Sequence, residues 1–316
     1  MKDASLRDRF CYRLTWSDLD VTVVRRLIAM ARDEDLEGVG LAKPPSRVGD
    51  LSTKSLIATK CSGEAVLTAR TPLAVCGIPL IPLILEAYAD QHSVVPCRWK
   101  PGCHEGDALN SGAVLGTVSG EVATLLQAER LILNTLQHLS GITTYTALCV
   151  AALGTGSTRI LDTRKTTPCW RFLEKYAVAC GGGWNHRMGL FDRILIKDNH
   201  LAAIGAASGD SLVRCIRRVR AQHPGLIMEV EVDSLEAIEA VIAAGTDVIL
   251  LDNFTPHDLR RAVALIGNRV YIEASGGVTQ ESLTWLSSIG LDFISCGALT
   301  HQSTWTDIGM DWRIKT

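Results

Sequence analysis

Six short apolar runs in the second half of the chain each stop abruptly at polar or glycine residues, and the later ones recur at a nearly fixed interval. They are 159–161 into Asp162-Thr163-Arg164-Lys165, 193–196 into Lys197-Asp198-Asn199-His200, and 228–232, which carries Glu229 and Glu231. The others are 248–251 into Asp252-Asn253, 270–272 into Glu273-Ala274-Ser275-Gly276-Gly277, and 293–295 into Cys296-Gly297-Ala298. Glu231 to Asp252 is 21 residues, Asp252 to Ser275 is 23 and Ser275 to Cys296 is 21, each the length of one strand plus one helix. Helix starts fall between the runs: Thr255 before Pro256, Ser234 or Asp233, and Thr279. Strands apolar nearly throughout are covered on both faces, as in a parallel barrel or doubly wound sheet, and such folds place their chemistry at the strands' carboxyl ends.

The first 130 residues have another texture. A charged helix-like stretch (17–33), loop residues 37–53, a strand-like 64–70 and glycine-punctuated segments from Gly102 to Gly120 suggest a smaller α+β domain. A helix over 122–139 joins the two parts, with Leu125, Leu126, Leu133, Leu136 and Leu139 at helical spacing. The expected division is 1–134 plus the tail 301–316 against 135–300.

With 47% hydrophobic and 21% charged residues in 316, the chain has enough apolar material for a large core. Its 32 basic and 34 acidic residues nearly cancel, so no overall field advertises nucleic acid or an anionic membrane. The charged start 1–10 argues against a secretory signal, and the longest apolar run, 73–85, contains two prolines and is too short to span a bilayer. A cytoplasmic protein is expected. Ten cysteines without a C-x2-C pair read as reduced thiols, and Cys97, Cys103 and His104 lack a fourth ligand at zinc spacing.

Arg130 falls in the apolar stripe of the joining helix, where it either packs its stem or faces an anion or a subunit interface. Arg164 and Lys165 end one strand, Asn185-His186-Arg187 follow the glycine loop 181–183, and Lys197 ends another strand. On one barrel mouth, Arg164, Lys165, His186, Arg187 and Lys197 would repel one another unless a multiply charged anion lay among them. Glu231 and Asp252 either neutralise these cations or hold Mg²⁺ and sugar hydroxyls. The glycine loops 275–277 and 296–298, on consecutive strands, suit a phosphate.

In their order these residues resemble the quinolinate phosphoribosyltransferases: Glu129-Arg130, Leu139-Ser140-Gly141-Ile142, 162–168, Glu174-Lys175-Tyr176, 181–187, 195–200, 229–232, 297–301, and, outside the barrel half, Gly49-Asp50-Leu51-Ser52-Thr53, Glu105-Gly106-Asp107 and 307–311. The resemblance implies an incomplete, seven-stranded α/β barrel with a smaller N-terminal α+β sandwich domain, in a homodimer with shared active sites that in some members becomes a hexamer. It implies transfer of phosphoribose from 5-phosphoribosyl-1-pyrophosphate to quinolinate, with decarboxylation to nicotinate mononucleotide, pyrophosphate and CO₂ in NAD biosynthesis, and a need for Mg²⁺. Arg130 would reach quinolinate from the partner subunit, Arg164, His186 and Arg187 would bind its two carboxylates, and Thr163 would contact substrate. Lys165 and Lys197 would serve the pyrophosphate, with Lys197 at the reacting centre, and Glu231 and Asp252 would contact ribose and metal. Ser275, Gly276, Gly277, Cys296, Gly297 and Ala298 would take the 5-phosphate.

The sequence departs from the family pattern at Cys169-Trp170, Cys296 and Gln302. Rival readings are a paralogous phosphoribosyltransferase of the kind associated with molybdate transporters, a Schiff-base lyase using Lys197, and a catalytically silent binding protein.

Overall fold

The computed structural model describes residues 2, 4–57, 61–89, 96–206 and 209–313. The chain divides into two compact units, Met1–Leu14 with Tyr145–Ser303 and Thr15–Thr144 with Thr304–Thr316.

The apolar runs of the second half form one parallel sheet of 6 strands. Its order is Arg159–Leu161, Phe293–Ser295, Tyr271–Ser275, Val248–Asp252, Met228–Val232 and Ile194–Ile196. Nearly every residue of the three five-residue strands and of Phe293–Ser295 is buried, as a sheet covered on both faces requires. The implied seventh strand is reduced to one bridge, Leu161 with Trp184, in which the Trp184 amide donates to the Ile160 carbonyl at 2.9 Å. The sheet is therefore open between Trp184 and Ile194. The chain's own start lies along that edge: Asn185 N–H donates to the Tyr12 carbonyl at 2.7 Å, and Leu14 N–H to Asn185 Oδ1 at 2.8 Å. Covering the edge satisfies backbone groups that would otherwise be unpaired.

Residues 1–14 thus belong with the parallel sheet and not, as the sequence division had it, with the first domain. The cause is apolar. Leu6, Phe10 and Cys11 pack with Ile227, Val248, Tyr271 and Phe293, all at or next to the amino ends of strands. The Phe10 and Phe293 ring centres are 4.5 Å apart. This floor leaves the carboxyl ends as the sheet's open, polar end.

Thr255 caps the helix Pro256–Ile266 as its sequence predicts, its Oγ1 accepting the Asp258 N–H at 3.2 Å. Thr255→Ala is expected to cost about 1 kcal/mol in a chemical-denaturation measurement.

In the other unit, four antiparallel strands run Ile308–Arg313, Ser62–Ala69, Val114–Glu121 and Arg98–Pro101, so the tail pairs with the strand read at 64–70. The charged stretch is the helix Val21–Glu37, capped by Asp20. The joining helix does not stop at Leu139 but runs from Val122 to Leu153. Ser140 and Gly141, which look like a terminator, are small for packing. Ser140 Oγ accepts the Cys76 N–H at 3.0 Å, and a Cβ on Gly141 would stand 2.3 Å from the Thr304 carbonyl oxygen. Among the described residues no helix is long and apolar enough to cross a membrane.

Candidate active site

At the carboxyl ends of the parallel strands lies a cavity of about 790 Å³. Thr163, Arg164, Lys165, His186, Arg187, Lys197, Glu231, Asp252, Ser275, Gly276, Gly277, Gly297 and Ala298 all line it, so the separated motifs meet as the strand spacing implied. Parallel pairing explains the convergence: Asp252 stands opposite Ser275, and Leu161 opposite Ser295, so the loops that follow leave the sheet at one level.

Cys296 and Arg130 do not line the cavity. Cys296 is buried with its Sγ 3.6 Å from the Val278 carbonyl, beneath the loop and not among the lining residues. Arg130 belongs to the other unit and is exposed, because the helix buries Leu125, Ala128, Ile132, Leu136 and Leu139, a stripe that passes it by. Leu126, whose spacing had placed Arg130 in the stripe, is only half-buried.

The electrostatics also differ from a simple bowl of cations. Asp198, Glu231, Asp252 and Glu273 share the cavity with the five basic groups, and the two signs interleave, with Lys197 beside Glu231 and His186 beside Glu273. Arg187 is buried and has no ion-pair partner among the described residues. Burial and the neighbouring Arg164 and Arg193 charges push its guanidinium down, against the pull of Glu229. The Nε of Arg164 is buried without a hydrogen-bond partner. Such donors are relieved by a bound anion, and guanidinium forks match carboxylates.

Glu231 lies 3.5 Å from the Lys197 ammonium. Burial pushes its carboxyl up and Lys197 pulls it down, while Asp252 and Asp198 push it up again. Two neighbouring hard oxygen donors of like charge are a fitting pair for a divalent cation. The glycine loops line the same cavity. Gly276 has φ +98°, and a Cβ there would lie 2.1 Å from Asn253 Oδ1, so only glycine fits the close approach. Thr300 Oγ1 ties the 297–300 turn to the Lys165 carbonyl at 2.8 Å.

A buried network fixes His186 and Arg187. Asp162, fully buried, accepts the Lys175 ammonium and the His186 N–H (2.8 Å) on Oδ1 and the Asn185 amide (2.7 Å) on Oδ2. Lys175 also donates to the His186 carbonyl at 3.0 Å. Asp162 and Lys175 sit in the quoted motifs, yet nothing in their sequence surroundings marked them as partners. Glu273 and Ser295 line the cavity and were missed as well; the available signal was a carboxylate inside an otherwise apolar strand.

Cys169 occupies a left-handed backbone conformation, φ 66°, five residues after Arg164. Trp170 does not line the cavity; its carbonyl accepts from Leu173 and Glu174 at the start of the helix Arg171–Cys180. Relief of the left-handed strain outweighs the added chain entropy of glycine, so Cys169→Gly is expected to stabilise by about 1 kcal/mol in thermal unfolding.

The family model described as "Quinolinate phosphoribosyl transferase, C-terminal domain" matches residues 142–311, and the N-terminal-domain model matches residues 50–140. A protein of Bacillus subtilis named probable nicotinate-nucleotide pyrophosphorylase [carboxylating] is 40% identical over 265 residues, 83% of this chain and 88% of that protein. The Mycobacterium leprae nicotinate-nucleotide pyrophosphorylase [carboxylating] is 39% identical over 298 residues, 93% of this chain and 99% of its own length. The solved nicotinate-nucleotide pyrophosphorylase of Francisella tularensis superposes with a TM-score of 0.81 at 30% identity, covering 95% of this chain and 100% of that one.

Proposed function

This chain belongs to the quinolinate phosphoribosyltransferase family, and from that membership we propose that its cavity transfers phosphoribose from 5-phosphoribosyl-1-pyrophosphate to quinolinate, releasing pyrophosphate and CO₂ and leaving nicotinate mononucleotide. The observation that carries the assignment to this cavity is the order around the strand ends: Arg164 follows the first strand, the glycine loops follow the next two, Asp252 and Glu231 come after them, and His186 and Arg187 join the same lining. The relatives described above bear the carboxylating enzyme's name, which favours quinolinate over the acceptor of a molybdate-transporter-associated paralogue.

In this reading Arg164, His186 and Arg187, with Thr163, hold the two carboxylates and so fix the ring nitrogen. Lys165 and Lys197 face the pyrophosphate, and the loops 275–277 and 297–298 receive the 5-phosphate. Loss of pyrophosphate leaves an oxocarbenium-like ribose, so positioning and charge stabilisation supply most of the acceleration. Once the nitrogen carries ribose, the ring is cationic and stabilises the electron pair left at C2 when CO₂ departs, and that pair then takes up a proton from water. The residues that would hold Mg²⁺ are Glu231 and Asp252, directly or through water; when bound, the ion neutralises phosphate charge. Lys197 lies beside a carboxylate at 3.5 Å, not in an apolar or cationic pocket that would free an amine for Schiff-base chemistry.

We assign exposed Arg130 to the cavity of a neighbouring copy in a cytoplasmic homodimer, as the family resemblance implies. Steady-state assays test the function: quinolinate with the pyrophosphate donor and Mg²⁺ should yield nicotinate mononucleotide, and chelation by EDTA should abolish it. Turnover of nicotinate in preference to quinolinate would contradict the substrate.

A further inference from the structure

Two carboxylates project from the interiors of neighbouring-but-one strands toward one imidazole of the cavity lining. Glu229 and Glu273 are each 0% exposed and His186 is 6% exposed. His186 Nε2 lies 3.3 Å from Glu229 Oε2 and 3.5 Å from Glu273 Oε1, and Arg193 Nη1 is 3.8 Å from Glu229 Oε2. Ser295 Oγ donates to Glu273 Oε1. Both oxygens of Glu229 and Oε2 of Glu273 are buried without a well-formed hydrogen bond. The proximity of charge, more than directed hydrogen bonding, joins the group. Buried carboxylates so placed cost several kcal/mol, and an apolar pair of the same volume would pack the strands at least as well.

We propose that Glu229 is a positioning residue for the carboxylate-binding end of the cavity: its buried charge, flanked by the Glu273–Ser295 pair, holds the Nε2 edge of His186 and keeps the imidazole doubly protonated, so that its Nδ1–H is offered to a substrate carboxylate. The proposal rests on the reading of this cavity as a dicarboxylate site. An imidazole with Nε2 committed below has one nitrogen left for the cavity, and a charged ring makes that nitrogen a donor whichever tautomer the neutral form would adopt. A charge-assisted donor is roughly twice as strong as a neutral one toward a carboxylate.

The groups around His186 are of both signs. Glu229 and Glu273 face it from their strands, Arg193 acts on it from its own loop, and Asp162 and Lys175 bond its backbone from the 162 loop and the helix Arg171–Cys180. Phe10 meets it edge-on with ring centres 5.7 Å apart. Burial and Arg193 push the imidazole down; Glu273 and Glu229 push it up by more, so it titrates above the ordinary imidazole range. For a base raised in this way, the stabilisation is complete below the unfolded-state value and is lost as pH rises through the folded-state value.

The test is a ring-¹⁵N NMR titration of the full-length protein labelled at histidine, with His186 assigned from the spectrum of His186→Gln. His186 should be doubly protonated at about pH 7.5, and Glu229→Gln should move its titration down by about one pH unit. In Glu229→Gln, KM for quinolinate should rise about tenfold between roughly pH 6 and 8 while kcat changes less than about threefold, and the wild-type KM should stay nearly flat. A wild-type His186 already neutral at about pH 7, or a titration unmoved by Glu229→Gln, overturns the proposal. Should Glu229→Gln not fold, the wild-type titration decides alone. No turnover of quinolinate by the wild type at any pH would overturn the substrate assignment instead, and the NMR result would stand apart from it.

Discussion

Glu231→Ala is expected to lower kcat/KM for quinolinate phosphoribosylation by about 100- to 1000-fold, or ~2.7–4 kcal/mol of transition-state stabilisation. The side chain is 11% exposed in the cavity, 3.5 Å from Lys197. Alanine removes a hard oxygen donor for ribose and metal, and leaves Lys197 without the carboxylate that orients it. No backbone hydrogen bond of the sheet depends on the side chain, so the unfolding midpoint should shift by no more than a few degrees. Steady-state kinetics over a range of Mg²⁺ concentrations, with a thermal melt of the same sample, measure both. A loss under about threefold would mean that Glu231 only balances charge. A parent protein without turnover would favour the silent-barrel reading.

Asp162→Ala acts on stability. It should cost about 3–5 kcal/mol, because it leaves the Lys175 ammonium buried without its carboxylate and strips acceptors from the His186 N–H and the Asn185 amide. Burial already pushes the Lys175 amine down, with Asp162 opposing it. Without Asp162 the amine falls further, and the folded state then binds fewer protons than the unfolded one between the two values. Stability of the variant therefore rises with pH across that interval, so its deficit should shrink as alkaline pH is approached. Adding Lys175→Met should recover part of the loss at neutral pH, since an apolar side chain of similar length carries no charge to bury. Urea denaturation at several pH values reads all three results. A deficit independent of pH would show that lost packing, not the stranded ammonium, sets the cost.

The sequence read furthest where one period governed many residues. Spacings of 21 to 23 residues located the last strands with Glu231 and Asp252, and the polar ends of the earlier runs and the glycine loop placed Arg164, Lys197 and His186 at the same end before any coordinates. It read least where a residue answers to a distant neighbour. Ser140 and Gly141 look like a helix terminator and are contact points for Cys76 and Thr304. Phe10 lies in a charged stretch, yet it seals the amino ends of strands more than two hundred residues away. Arg130 was misplaced because the helix buries a stripe through Ala128 and Ile132 that leucine spacing alone did not reveal. The cations were legible one by one, but Glu273 and Asp198, which share their cavity, were not weighed against them. A charge in a strand interior carries no period, so only its three-dimensional partners give it meaning.

The reaction makes one chemical demand that no binding protein or simple phosphoribosyltransferase shares: a carboxylate must leave the ring that gains the ribose. Quinolinate labelled with ¹³C in its 2-carboxylate, incubated with the enzyme, 5-phosphoribosyl-1-pyrophosphate and Mg²⁺, should release one labelled CO₂ for each nicotinate mononucleotide and each pyrophosphate formed. Pyrophosphate release with the label retained in the nucleotide, or no release of either, would contradict it.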